Sequence, residues 1–371
     1  MQIAQIAWSE KSGWQPAPDF AAQAHLVLIF ADHDYFKTPA CFEELRRMFP
    51  AAHIAGCSSS GNITGVTISD NNIVATVIRL ERSHIRLESL EITSSKDSQQ
   101  LGSGLMADLA APDLRHAFIL SDGLMVNGSE LAKGLNLAQI PATGGMAGDG
   151  ARFTQTFIMA DAPARTGCIA ALGFYGALTV RTGCFAGWEE FGAERIVSRS
   201  SGNVVYEIDG EPALDLYKKY LGEQAAELPA SGLRFPLSIQ PGKTDIALTR
   251  TLLGVNEEEH SLTFAGDVPQ GYICKLMRTN LDNLIESAGM AADAARPDHP
   301  ATEGLCVLVS CVGRRLVMGQ MTEEELEIVQ EKLGDATTLT GFYSYGELAP
   351  AGNTTQCELH NQTMTLTTFY E

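Results

Sequence analysis

The 371-residue chain has no run of Lys or Arg, and its formal charge is −19. A field that acidic repels phosphate backbones and anionic lipid, so no nucleic acid and no membrane surface is expected as a partner. Long apolar runs are missing too. The longest are strand-sized, as at Leu26 to Phe30, far short of a bilayer-spanning helix. The opening M-Q-I-A-Q-I-A-W-S-E lacks the basic start and apolar stretch of a secretory leader, which leads to an expected cytoplasmic location. The eight cysteines form no C-x-x-C; most sit among apolar neighbours and read as buried free thiols. The eight histidines form neither H-x3-H nor H-E-x-x-H, so no zinc site is readable. No G-x-S-x-G elbow occurs, and no G-x-G-x-x-G follows the first strand. With no catalytic motif, the expectation is a protein that is not an enzyme.

What is present is a large apolar content, 45% of the residues, enough for two packed domains. Buried-strand runs alternate with helical patterns, which predicts an α/β fold with mixed β-sheets and flanking helices. His25 to Phe30 reads as a strand, a helix follows Thr38-Pro39, Ala52 to Ala55 is a second strand, and Ile73 to Leu80 a third. The same order returns at His116 to Leu120, Ser129 to Gln139, Ile140 to Thr143 and Phe153 to Met159. It returns again at Leu305 to Val309, at a helix through Leu333 opened by a Thr322–Glu325 capping box, at Thr337 to Thr340 and at Thr363 to Tyr370. Each time a glycine loop follows the second strand: Ala55 to Ile63, Gly144 to Arg152 and Thr340 to Pro350. G-x4-G spacing links Gly56/Gly61, Gly145/Gly150 and Gly341/Gly346. With 35 glycines that spacing arises about three times by chance, so only the repeated order of elements argues for an internal repeat. Glu223 to Gly232 and Ala291 to Pro300 read as surface loops.

The third loop, T-G-F-Y-S-Y-G-E-L-A-P, carries more apolar area than a solvent loop needs and reads as a pocket wall. None of the three loops continues with the lysine and hydroxyl of a phosphate-binding loop; the followers are Asn62-Ile63, Ala151-Arg152 and Glu347-Leu348. Arg314 could clamp a carboxylate, Glu347 could meet an amine or Arg314, and Asp149 sits in the middle loop. Cys57 or a serine beside it, with His53 four residues away, is the one hint of a hydrolase nucleophile; loop serines bonding their own backbone are the more economical reading.

Seven stretches together resemble the FIST proteins, bacterial sensory proteins with an N and a C module. They are A-G-C-S-S-S-G, S-D-G-L-M-V-N-G, I-P-A-T-G-G-M-A-G-D-G, G-N-V-V-Y-E-I-D-G-E-P-A-L, L-T-F-A-G-D-V-P-Q-G, S-C-V-G-R and T-G-F-Y-S-Y-G-E-L-A-P. The resemblance implies an N module over 1–200, a C module over 201–371, and ligand sensing. It is nearest to the stand-alone branch that binds haem, senses nitric oxide and acts on a separate histidine kinase or cyclic-di-GMP enzyme; a sensor of small molecules such as amino acids is the alternative. A homodimer is compatible with it. The expected ligand-binding residues are Gly56, Ser58, Ser59, Gly61, Gly145, Asp149, Arg314, Tyr343, Ser344, Tyr345, Gly346 and Glu347, with His360 the candidate for a haem iron because it precedes a strand close to the third loop.

Overall fold

The computed structural model describes residues 1–297, 303–352 and 354–371. The alternating runs do form an α/β fold, and the repeat is real. Three six-stranded sheets share one plan. In each, a central strand buried along nearly its whole length lies parallel to the strand that follows its helix and antiparallel to a later return strand. The central strands are Leu26–Ala31, Leu114–Ser121 and Gly304–Cys311. Their parallel partners are His53–Ser58, Ala142–Met146 and Thr337–Ser344. The return strands are Ile73–Arg79, Cys168–Gly176 and Met364–Tyr370. An opening strand then pairs outside each return strand: Gln2–Ser9, Ser83–Glu91 and Thr179–Phe185.

The glycine loops explain how the sheets are joined. After each loop the chain leaves its own sheet and adds an antiparallel strand to a neighbour. Asn62–Thr64 joins the third sheet, Ile158–Ala160 the first, and Gly346–Pro350 the second. The three loops also bond to one another in a cycle. Ser60 N donates to Tyr343 O (2.8 Å), Tyr345 N to Met146 O (3.0 Å) and Gly148 N to Ser58 O (3.0 Å). These are matching positions in the three repeats, so the ring has pseudo-threefold symmetry.

Matching glycines make the close approach behind each loop. A Cβ at Gly56, Gly144 or Gly341 would stand 2.0, 1.9 or 1.9 Å from the carbonyl oxygen of Ile29, Ile119 or Leu308 on the central strand. No side chain fits at such a distance. The match corrects the spacing read from sequence: Gly144, not Gly145, is the counterpart of Gly56 and Gly341. Asp149 then takes the place of Gly61 and Gly346.

Inner faces of all three sheets bury one shared core, including Phe30, Phe118, Val307, Phe342 and Phe369. Helices cover the outer faces: Ala40–Met48 on the first, Ser98–Leu109 and Gly128–Leu135 on the second, Leu281–Ala295 and Glu324–Leu333 on the third. A fourth, antiparallel sheet is inserted between the opening and central strands of the third repeat. Its strands lie between Glu189 and Arg278, and its own core packs under helix Ala213–Leu221.

Local expectations differ in four places. Ala291–Ala295 is the end of a helix, because Ala291, Ala292 and Ala295 pack against the third sheet; residues 298–300 of that expected loop lie outside the described residues. Of the expected Phe153–Met159 strand only Ile158 and Met159 pair, in the observed strand Ile158–Ala160, and Phe153 turns through φ +51°. The expected Glu223–Gly232 surface loop instead carries two 3-10 turns, Gly222–Glu227 and Ala230–Arg234, and Ser231 and Gly232 are buried. The capping box at Thr322 does not form: Thr322 Oγ1 donates back to Gly319 O (2.6 Å), and Glu325 is drawn into the interior by Arg314.

The close glycine contacts set a stability prediction. Gly341→Ala lowers unfolding stability by at least about 3 kcal/mol, since backbone must move. Gly254→Ala, where nothing stands within 4 Å of the new methyl, changes it by less than about 1 kcal/mol. Urea unfolding of both variants checks this.

Candidate functional site

Beside the ring, where the inserted sheet meets the three-sheet body, lies a cavity of about 220 Å³. One wall is the short helix Val312–Met318, which continues the third central strand and contributes Val312, Gly313 and Leu316. The opposite wall comes from the insert: Pro229, Ala230, Leu233, Leu252 and Ala265. Tyr345 and Phe153 close one end as a stacked pair, with centroids 4.5 Å apart and planes 12° from parallel. Cys311, Thr251 and Asn361 supply the polar groups of the lining.

Asp149 fixes the aromatic end. Its carboxylate accepts from Phe153 N (2.8 Å), Thr154 N (2.9 Å) and Gln155 N (2.9 Å), from the Thr154 hydroxyl (2.9 Å) and from the Tyr345 hydroxyl. Burial pushes its pKa up, but these hydrogen bonds, led by Tyr345, more than offset that and hold it at about 2. A single charged side chain thus locks the middle loop to the third loop and orients both rings.

Polar satisfaction is incomplete at this place. Among the described residues six buried side-chain atoms have no hydrogen-bond partner, and three of them, Ser231 Oγ, Thr251 Oγ1 and Gln362 Oε1, belong to the segments that build the cavity. Thr251 lines it directly. Buried groups of this kind are ordinarily paired, and an unpaired hydroxyl in a cavity lining is what a small bound molecule or water would complete. No charged side chain lines the cavity.

Of the residues singled out from sequence, only Tyr345 lines the cavity, and Asp149 positions it. Gly56 packs on Ile29, Gly145 under Val309 and Phe342, Gly346 against Leu359 and Met146, and Gly61 beside Arg315 and Tyr343. Ser58 Oγ accepts from Phe157 N (2.9 Å), and Ser59 Oγ bonds Asn62 Oδ1. Tyr343 and Arg314 face the third sheet's outer side, where both meet the buried Glu325. The Tyr343 hydroxyl donates to Glu325 Oε1 (2.6 Å) and Arg314 Nη2 to Glu325 Oε2 (2.9 Å). Arg314 also donates to the carbonyls of Ala186 (2.7 Å) and Leu284 (2.8 Å). Its fork is spent on the protein itself, so it is a structural ion pair and leaves no hydrogen for a ligand carboxylate.

The hydrolase alternative has no geometry behind it. Cys57 is inside the shared core, where burial drives its thiol pKa well up, and His53 pairs with Asp161 (2.7 Å). Ser60 bonds the Gly150 backbone. No base stands at hydrogen-bond distance from any of these hydroxyls or that thiol among the described residues.

Residues 25–211 match the FIST N domain and residues 213–350 the FIST C domain. The chain belongs to the FIST family. FIST domains are signal-transduction sensor domains that bind small ligands. Over 321 residues this FIST protein is 22% identical to an uncharacterized protein of Methanocaldococcus jannaschii, an overlap of 81% of this chain and 62% of that protein. The chain thus spans a little under two thirds of the length of that relative. In this FIST protein the cavity residues Cys311, Val312, Gly313 and Ala265 fall in the S-C-V-G-R and L-T-F-A-G-D stretches, so two family motifs meet across it. Phe153, Thr251 and Asn361 carried no sequence signal, because each is placed by tertiary packing.

Glu347 lies under this region, fully buried. Ser344 Oγ bonds its Oε1 (2.6 Å), and Thr363 N (3.2 Å) and Oγ1 (2.9 Å) donate to Oε2. The same serine-to-third-residue bond joins Ser59 to Asn62 in the first repeat, so Glu347 occupies a structural position that elsewhere is a neutral amide. Burial raises its pKa to about 8 in spite of the hydrogen bonds. Folding therefore holds a proton that the unfolded chain releases above about pH 4.5. The stability this gives is full below that pH and is lost as pH rises through about 8. Glu347→Gln keeps the shape without the titration. Measured by thermal unfolding, the variant gains on the parent protein between pH 5 and pH 8; a constant difference across that range would refute the buried proton.

Proposed function

We propose that this FIST protein senses a small, uncharged, largely apolar molecule that occupies the cavity between the inserted sheet and the three-sheet body. The observation that carries the reading is the pairing of an apolar lining with the orphan Thr251 hydroxyl beside it. The ligand would lie against the Tyr345–Phe153 pair and exchange one hydrogen bond with Thr251, with the Asn361 amide next to it. The volume is at the small end for a ligand pocket, where roughly 300 Å³ and above is usual for drug-sized molecules. Because the walls come from separate sheets, an occupant would favour one arrangement of insert against body, and a partner protein would read that arrangement. The partner classes implied by the resemblance, a histidine kinase or a cyclic-di-GMP enzyme, stand as part of the same proposal.

An amino acid is less well matched, since its carboxylate and ammonium would be desolvated with no opposite charge in the lining. Haem does not fit this cavity. No described histidine lines it; His360 is buried, its Nε2 is taken by Ala349 O (3.1 Å), and Asn361 faces the cavity in its stead. Cys311 could offer sulfur, but burial, with Glu347 adding to it, raises the thiol pKa and disfavours a thiolate there.

Thermal unfolding with indole and phenol as neutral aromatic probes tests the reading. At millimolar probe the midpoint rises by a few degrees, and Ala265→Trp, which fills the cavity, abolishes the rise. An unchanged midpoint with both probes would overturn it.

A further inference from the structure

Thr251 faces the cavity just described; its neighbour Arg250 faces the other way. There it lines a cleft of about 430 Å³ between the inserted sheet and the second sheet. Arg250 is 3% exposed. Its Nε donates to Asp267 O (2.9 Å), and its Nη1 to the carbonyls of Thr249 (3.1 Å) and Leu359 (3.0 Å). None of these partners is a carboxylate, and Nη2 donates to no group among the described residues. Gly266 makes room for the group: a Cβ there would stand 3.0 Å from Nε and 3.2 Å from Cζ.

A guanidinium so buried without an anion is costly, because desolvation is not repaid by a full opposite charge. Burial pulls the Arg250 pKa down to about 10, only partly offset by the charges of Glu358 and Asp267. The rest of the cleft adds Asp245, Asp267 and Glu358, with Lys133 held by Glu130 (2.6 Å). A bare anion would be repelled by those three carboxylates. One that also carries hydrogen-bond donors would satisfy both sides.

We propose that this cleft is a second ligand site, for a small organic anion whose carboxylate or phosphate is held by Arg250 Nη2 and whose hydroxyl or amine groups meet Asp245, Asp267 and Glu358. The site is distinct from the apolar cavity, since the two are lined by different residues and would take ligands of different charge. Its placement gives it a regulatory position: Thr249, Arg250 and Thr251 form one short segment with cleft on one side and cavity on the other.

Glycolate and glycerol 3-phosphate, at about 10 mM against sodium chloride of equal ionic strength, test the proposal by thermal unfolding of the full chain. At least one raises the midpoint by about 2 °C or more, and which one responds tells carboxylate from phosphate. Arg250→Lys keeps a charge but loses the fork, and removes the shift. Should that variant not fold, Gln356→Trp serves: Gln356 is exposed at the cleft and its side chain makes no hydrogen bond among the described residues. It keeps the parent midpoint and loses the shift. No rise above the salt reference with either compound, or a rise that survives in the folded variants, overturns the proposal.

Discussion

Three backbone hydrogen bonds, Ser60 to Tyr343, Tyr345 to Met146 and Gly148 to Ser58, hold the molecule together at its centre. They link segments 283, 199 and 90 residues apart, and each ties one loop to another so that the three close a cycle. The swap of strands between sheets follows from them. A chain that has just bonded to the next loop emerges alongside the next sheet and adds to its edge. One side of each sheet, beside the strand that leads into the loop, is thereby paired with a strand from a neighbour instead of being left open.

The ring also decides where a ligand site can be. Its three positions are equivalent in backbone but not in side chain. Where Ser60 and Gly148 present little, Tyr345 presents a ring, and Asp149 stands where the other repeats have glycine. Asp149 therefore ties Tyr345 and Phe153 into a stacked pair on one side of the ring only. The inserted sheet, present in the third repeat alone, roofs that side. A repeated scaffold with one decorated position is an economical way to hold a site on rigid strands while its walls come from two bodies.

How much of this was readable from residues alone follows from which physics is local. Buried central strands such as Leu26–Ala31 and Gly304–Cys311 announce themselves as short apolar runs, so the repeat was legible. The matching glycine of the middle repeat was misplaced by one residue, because G-x4-G spacing has no register and only the contact of Gly144 with Ile119 supplies one. Arg314 was read as a ligand contact because its guanidinium could clamp a carboxylate, and Tyr343 because its loop carries more apolar area than a solvent loop needs. Their partner, Glu325, had a local explanation as a capping residue, and nothing in a linear pattern reveals that it turns inward to meet them. The cavity itself was hidden. Its far wall comes partly from Pro229–Leu233, which has the composition of a surface loop, and its polar group is one threonine of no distinguishing context. Tyr345 was legible because its loop held more apolar area than solvent exposure explains.

Native-state hydrogen exchange at the amides of Ser60, Gly148 and Tyr345 tests most directly the claim that the three loops lock one another. If the ring is a single cooperative unit, all three amides exchange slowly, with one common opening free energy close to that of global unfolding. Exchange of one of them by low-cost local opening, while the other two stay protected, would contradict the account.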